Sequence, residues 1–180
     1  LLNKAQEIAR NRDEDMLFGC SAMLLESAHF DALKQQLQRQ DKTLCLLFEE
    51  SEIRFASSQQ VLNLRALADM GIPIGLNNFG KDRCDLTLIS QVDFTYVLLS
   101  STFSKRVLQQ TSYEVQLQGI LAVTKVKNIK VIARGPAILN FRSLLEKHGL
   151  QLFFGKQQML DKGNERVAFI QNFDNESVPS

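Results

Sequence analysis

The sequence predicts an α/β fold in which a parallel sheet is wrapped by helices, either doubly wound or closed as a (β/α) barrel. Three observations lead there. Apolar runs of strand length alternate six times with amphipathic helical stretches, joined by short connections, along 180 residues. The strand runs are apolar at successive positions, as strands covered on both faces are. No GxGxxG or Walker A motif follows any strand, so a nucleotide-binding doubly wound sheet would lack its phosphate turn.

Each element has its own warrant. Leu1 to Arg12 sets Leu2, Ala5, Ile8 and Ala9 at helical spacing, and the charged stretch NRDED separates it from the apolar run Met16 to Cys20. Phe30 to Gln38 reads as a helix with Leu33 and Leu37 on one face. Leu44 to Phe48 is an unbroken apolar run, hence a buried strand. Gln59 to Met70 is a helix with Val61, Leu62, Leu64, Leu67 and Ala68 inward, stopped by Gly71 and Pro73. Ile72 to Leu76 follows as a strand, Leu86 to Gln91 as a short helix and Phe94 to Leu99 as a strand. One long helix is expected from about Ser104 to Val126. Ile129 to Ala133 is a strand, Ile138 to His148 a helix with Gly149 as its C-cap, and Leu152 to Phe154 the last clear strand.

The bulk numbers narrow the function. With 44% hydrophobic residues, the chain suits one sizeable core, a single domain over residues 1–180. Its 21 basic and 20 acidic residues are interspersed, which argues against a nucleic-acid surface or a membrane-binding basic patch. Three cysteines with no CxxC suit a reducing compartment, and no apolar run reaches membrane-spanning length. A cytoplasmic domain is expected, in a parent protein that need not be.

Barrels carry their chemistry at the C-terminal ends of strands. There the chain presents Cys20, Leu47 to Glu50, Asn77 with Asn78, Leu98 to Ser100, Arg134 and Phe154. At Asn77-Asn78, where an α/β enzyme would present a pair of charged ligands, stand two neutral amides. As a plain reading, they cap a turn. Arg134 is expected to pair with Glu50 or another strand-end acid, and the cysteines to be small buried groups.

Read together, these strand ends resemble the EAL domain, the barrel that hydrolyses the bacterial messenger cyclic di-GMP. LCLLFEES is similar to the family's strand ending in E-[IL]-T-E-S, and GIPIGLNNFG to G-x-x-[IL]-[AS]-[LI]-D-D-F-G. VDFTYVLLS lies where the family has D-x-[IL]-K-[IL]-D. VIARGPAI resembles V-[IV]-A-E-G-V-E, and HGLQLFFGK the closing G-x-x-x-x-Q-G. Glu50 and Asn77 stand 27 residues apart, Asn77 and Arg134 57, as the resemblance requires. It implies a (β/α) TIM-like barrel of the EAL type, with the first β/α unit expected to be missing and Met16 to Cys20 left as an open edge.

The resemblance also implies two divalent cations held by carboxylates and an amide, with a lysine assisting the attacking water. At those positions the chain has Cys20 near the expected Asn, Leu47 for a Glu, Asn77 and Asn78 for the paired Asp, Leu98 for the Lys, Arg134 for a Glu and Phe154 for the Gln. Glu50, Phe79 and Gly80 match the residues that anchor the loop after the paired acids. A two-metal clamp needs hard anionic oxygens, and neutral amides, leucines and a guanidinium supply no negative charge. The expectation is therefore no enzyme, no metal and no cofactor. A degenerate regulatory module is expected, acting through protein contacts in cyclic di-GMP or Csr-type signalling, with the CsrD/MshH type one candidate. The alternative is a receptor that binds cyclic di-GMP without cleaving it. The expected partner is a protein, with homodimerisation or strand swapping to close the sheet, weak or no cyclic di-GMP binding, and no direct nucleic-acid or membrane contact.

Overall fold

The structure, a computed structural model, describes residues 15–38, 44–134, 138–150, 152–154, 159–161 and 167–170. Along them run β1 (Asp15–Cys20), a 3-10 turn (Ala22–Leu25), α1 (Ser27–Leu37), β2 (Leu44–Glu49), α2 (Glu50–Arg54), α3 (Ser58–Asp69), β3 (Ile74–Phe79) and α4 (Leu86–Gln91). Then come β4 (Tyr96–Leu99), α5 (Ser101–Val107), α6 (Thr111–Val126), β5 (Lys130–Arg134), α7 (Ile138–Lys147), β6 (Leu152–Phe154), β7 (Met159–Asp161) and β8 (Val167–Ile170). The expected helix over Leu1 to Arg12 lies outside the described residues.

The strands form one sheet in the order β7-β6-β5-β4-β3-β2-β1-β8. Every neighbouring pair is parallel except β6 with β7. Successive side chains on a strand point to opposite faces, and the two faces bury different things. Met16, Phe18, Leu46, Phe48, Ile74, Leu76, Val97 and Leu99 join helix residues such as Leu33, Leu64, Phe103, Leu117 and Ile120 in the main core. The intervening positions, Leu17, Cys45, Leu47, Tyr96, Leu98 and Ile132, form a second, smaller core that contains only strand residues among the described ones. Fully burying one such side chain is worth about 1.5–3 kcal/mol. Two apolar faces explain why the strands read as unbroken apolar runs.

Gly75 sits between these layers for a steric reason. A Cβ there would lie 2.7 Å from Leu47 Cδ2 and 2.8 Å from the Tyr96 carbonyl oxygen. Its absence lets Leu47 and Tyr96 fill the small core from β2 and β4.

Several expectations are corrected by local chemistry. The long helix beginning near Ser104 is two helices. Ser100 starts α5 early by accepting from the Phe103 N–H at 3.0 Å. Gln110 is extended (φ −144°, ψ 120°) and opens α6, where Thr111 and Ser112 are weak helix-interior formers. The break is held closed by Tyr113. Its ring meets Phe103 edge-on at 5.7 Å, and its hydroxyl accepts from Arg106 at 3.0 Å. The strand expected at Ile72 to Leu76 runs instead from Ile74 to Phe79, so both asparagines lie within it. On α3, Leu64 and Leu67 are buried as expected, but Leu62 is 54% exposed. Met16 to Cys20 is not an open edge, because β8 pairs with it in parallel from Asp15↔Val167 to Phe18↔Ile170. Gly149, with φ +94°, ends α7 in the left-handed conformation expected of a C-cap.

Candidate functional site

The C-terminal ends of β2, β3 and β5 bring four polar side chains together above the small core. The register sets Glu49 beside Asn77, and Leu47 beside Gly75. Glu49 shares the face of Cys45 and Leu47, and Arg134 that of Ile132, so both point to the side away from the helices.

Asn77 and Asn78 are adjacent, and in a regular strand they would point to opposite faces. The pairing between β3 and β4 slips between Leu76 and Phe79, where one extra residue is accommodated as a bulge. Asn78 absorbs it with φ +55°, a left-handed conformation that asparagine tolerates better than most residues. The bulge lets both amides reach the same two partners. Asn77 and Asn78 donate through their Nδ2 groups to the two carboxylate oxygens of Glu49, the second at 2.8 Å. Arg134 donates to both amide oxygens, to Asn77 Oδ1 at 3.0 Å and also to Asn78 Oδ1.

The result is a relay from carboxylate through two amides to guanidinium. Burial pulls the Arg134 guanidinium below its ordinary range, and the Glu49 charge opposes that. The turn-capping reading of the asparagines gives way to this pairing. Arg134 is linked through the two amides to Glu49, the strand-end acid beside Glu50, whose charge acts on it. Glu49 was missed by sequence reasoning, although strand alternation from Cys45 and Leu47 places it on their face.

The remaining predicted positions divide. Leu47 and Leu98 are each 1% exposed and belong to the small core, directly beneath the relay. Cys20 does not face the site: it joins the helix-side core, and its thiol donates to the Phe18 carbonyl oxygen at 3.6 Å. Alternation gives the site-facing end of β1 to Gly19 instead. Burial, with Glu52 adding to it, pushes the Cys20 thiol up to about 12, far from a reactive thiolate. Phe154 stands level with Arg134 in the β5–β6 register.

Glu50 lies on the other side of the strand end, 2% exposed. Its carboxylate accepts from Arg54 and from the Gly80 backbone N–H, and burial raises its pKa above the ordinary carboxylate value against both of these. Gly80 has φ +74°, and a Cβ on it would meet the Phe103 ring at 2.8 Å. Phe79 is fully buried, and its carbonyl oxygen accepts from the Ser100 N–H at 2.9 Å. Glu50, Phe79 and Gly80 therefore tie β2, β3 and α5 at the start of the following loop. That loop and α6 line a cavity of about 490 Å³, among Arg83, Cys84, Tyr113, Gln116 and Gly119, and none of the relay residues borders it.

The two dications implied by the resemblance do not fit this donor set. Two expected ligand or proton-transfer positions are buried leucines, and the amide oxygens already accept from a guanidinium. Among the described residues no three His, Cys, Asp or Glu side chains cluster as a metal would require.

Comparison with known proteins places the fold. The EAL enzyme Bd1971, solved with cAMP and cyclic di-GMP, has a TM-score of 0.68 and 19% identity over 89% of this chain and 43% of its own. The phosphodiesterase PaMucR, solved with cyclic di-GMP, scores 0.64 at 19% identity over 77% of this chain and 58% of its own. Vibrio cholerae LapD, an S helix-GGDEF-EAL protein, scores 0.73 at 16% identity over 86% of this chain and 39% of its own. The chain thus spans 39–58% of the length of these solved chains. No curated protein matches it at a significant level.

One expectation is overturned by these findings. The chain was expected to be no enzyme, yet the EAL domain model matches it and the solved structures it resembles are named as a phosphodiesterase and an EAL enzyme. The α/β fold with its parallel sheet is that of the EAL TIM-like barrels. The EAL domain model matches residues 2–137, three quarters of the sequence, and the chain belongs to the EAL domain family.

Proposed function

We propose that this chain is a regulatory module of cyclic di-GMP signalling that works through contacts with another protein. Membership of the EAL family supplies the signalling context. The single observation that carries the rest is the Glu49–Asn77–Asn78–Arg134 relay, in which strand-end polar groups engage one another over a floor containing Leu47 and Leu98. A mouth of that kind offers an incoming phosphate or cation little that is not already engaged. In this sense the module is a degenerate EAL domain, with Phe154 proposed as a further altered position, whereas Cys20, packed in the helix-side core, has no part in the site. Glu50, Phe79 and Gly80 act as the anchors of the loop. The CsrD/MshH type, which acts on turnover of Csr regulatory RNAs and contacts a phosphotransferase-system protein, is the candidate we propose, with a cytoplasmic location. No helix among the described residues is long and apolar enough to cross a membrane.

Calorimetric titration with cyclic di-GMP, with and without Mg²⁺, tests the reading, with chromatography of the same samples for the linear product. The expected dissociation constant is weaker than about 100 μM, alongside direct binding of a phosphotransferase-system protein in gel filtration. A low-micromolar isotherm abolished by Arg134→Ala would favour a nucleotide receptor. Linear product above a no-protein control would make turnover the route of signalling and overturn the protein-contact reading.

A further inference from the structure

We propose that the strand-end cluster is a cation site held by the chain's own guanidinium, with Arg134 as the resident cation and Glu49 as its counter-ion. The inference rests on the geometry of the relay and not on the signalling role above. Two amide oxygens from adjacent residues converge on one guanidinium, the Asn77 oxygen at 3.0 Å. The nitrogens of the same amides converge on one carboxylate, that of Asn78 at 2.8 Å. The guanidinium thus takes the oxygen ligands that a metal ion would otherwise claim.

The two charges also fix the orientation of the amides. Turned over, each would set N–H against the guanidinium donors and its oxygen against the Glu49 carboxylate, losing both bonds at once. That orientation explains why asparagine stands at both positions. Aspartates at both positions would still accept from Arg134, but they would have no proton for Glu49, and three carboxylates would then share one guanidinium. Asparagine, glutamate and arginine are therefore one interlocking set. The amides are carboxylate positions neutralised to match an internal positive charge, and a dication can enter only by displacing that charge.

The set predicts that metal affinity returns when the internal cation is withdrawn and the carboxylates are restored. Mn²⁺ and Mg²⁺ alone are the probes, read as the shift in thermal unfolding and as Mn²⁺ binding followed by electron paramagnetic resonance on the full chain. The wild type and Arg134→Lys, which keeps the positive charge, are expected to show no metal-dependent shift at millimolar metal. Arg134→Met combined with Asn77→Asp and Asn78→Asp is expected to bind Mn²⁺ at least about tenfold more tightly than the wild type and to gain thermal stability with it. If the triple variant does not fold, Arg134→Met alone answers the same question through any gain in Mn²⁺ affinity over the wild type. Wild-type protein that binds Mn²⁺ as tightly as the folded variants, or variants that gain nothing, would overturn the proposal.

Discussion

A missing Cβ at Gly75 is what lets the small core exist. Substituting alanine forces an atom to within 2.8 Å of the Tyr96 backbone, which cannot rotate away as a side chain can. Gly75→Ala is expected to cost about 1–3 kcal/mol, seen as a lower urea midpoint with an unchanged slope, and wild-type stability would refute the steric account. Glu50 gives a second prediction at this scale. Its pKa is raised in the folded protein, chiefly by burial, so the native state holds its proton more tightly than the unfolded chain does. Stability from this group is complete below the ordinary Glu value of 4.5 and falls as pH rises through the raised one. Glu50→Gln should flatten that part of the stability–pH curve, measured by urea unfolding at a series of pH values. A slope unchanged by the substitution would assign the pH dependence to other groups. Residues of this kind were unevenly legible in the sequence. Leu47 and Leu98 announced a strand end without ligands, because leucine carries no donor in any setting. Glu49 stayed hidden because its importance depends on a partner 85 residues further along the chain, at Arg134.

Elements were legible where local chemistry decides them and illegible where tertiary contact does. Leu86–Gln91 has the expected bounds, because Asp85 caps it by accepting from the Thr87 N–H at 3.0 Å. α3 has a sequence-readable start as well: Ser57 accepts from the Gln60 N–H, and the Gln60 side chain accepts in turn from the Ser57 N–H. Ser57→Ala should remove about 1 kcal/mol, measurable as a drop in thermal midpoint, and no drop would mean that packing alone holds this helix end. The bulge at Asn78 could not be foreseen, since an Asn-Asn pair at a strand end fits a turn equally well. Nor could the interruption between α5 and α6. The stretch has no proline, and the break is stabilised by Tyr113 reaching back to Phe103 and Arg106. The short strands β7 and β8 were missed for a similar reason: three and four residues are too few to show a period, and pairing with β6 and β1 defines them.

For the molecule as a whole, β8 covers the edge of β1 that the sequence reading left bare. Unpaired strand edges recruit other chains. Ending the chain after Asp161 should therefore convert the protein to oligomers or aggregates, followed by light scattering across a concentration series. A shortened chain that stays monomeric and unfolds at the wild-type midpoint would show that β8 contributes no closure. The parallel order of the sheet from β6 through β1 to β8, with helices on one face, was legible as a class because alternation of apolar strands and helices leaves few other packings.

The pairing of β1 with β8 also sets a timetable. The first described strand and the last lie side by side, so this contact spans nearly the whole described chain. Ribosomes add roughly 5–20 residues per second, which leaves one flank of β1 waiting on the order of ten seconds for its neighbour to be made. During that interval Met16, Leu17 and Phe18 are within reach of chaperones and of nascent copies on the same messenger. Completion of the sheet is thus a late and slow event, as long-range parallel pairing generally is.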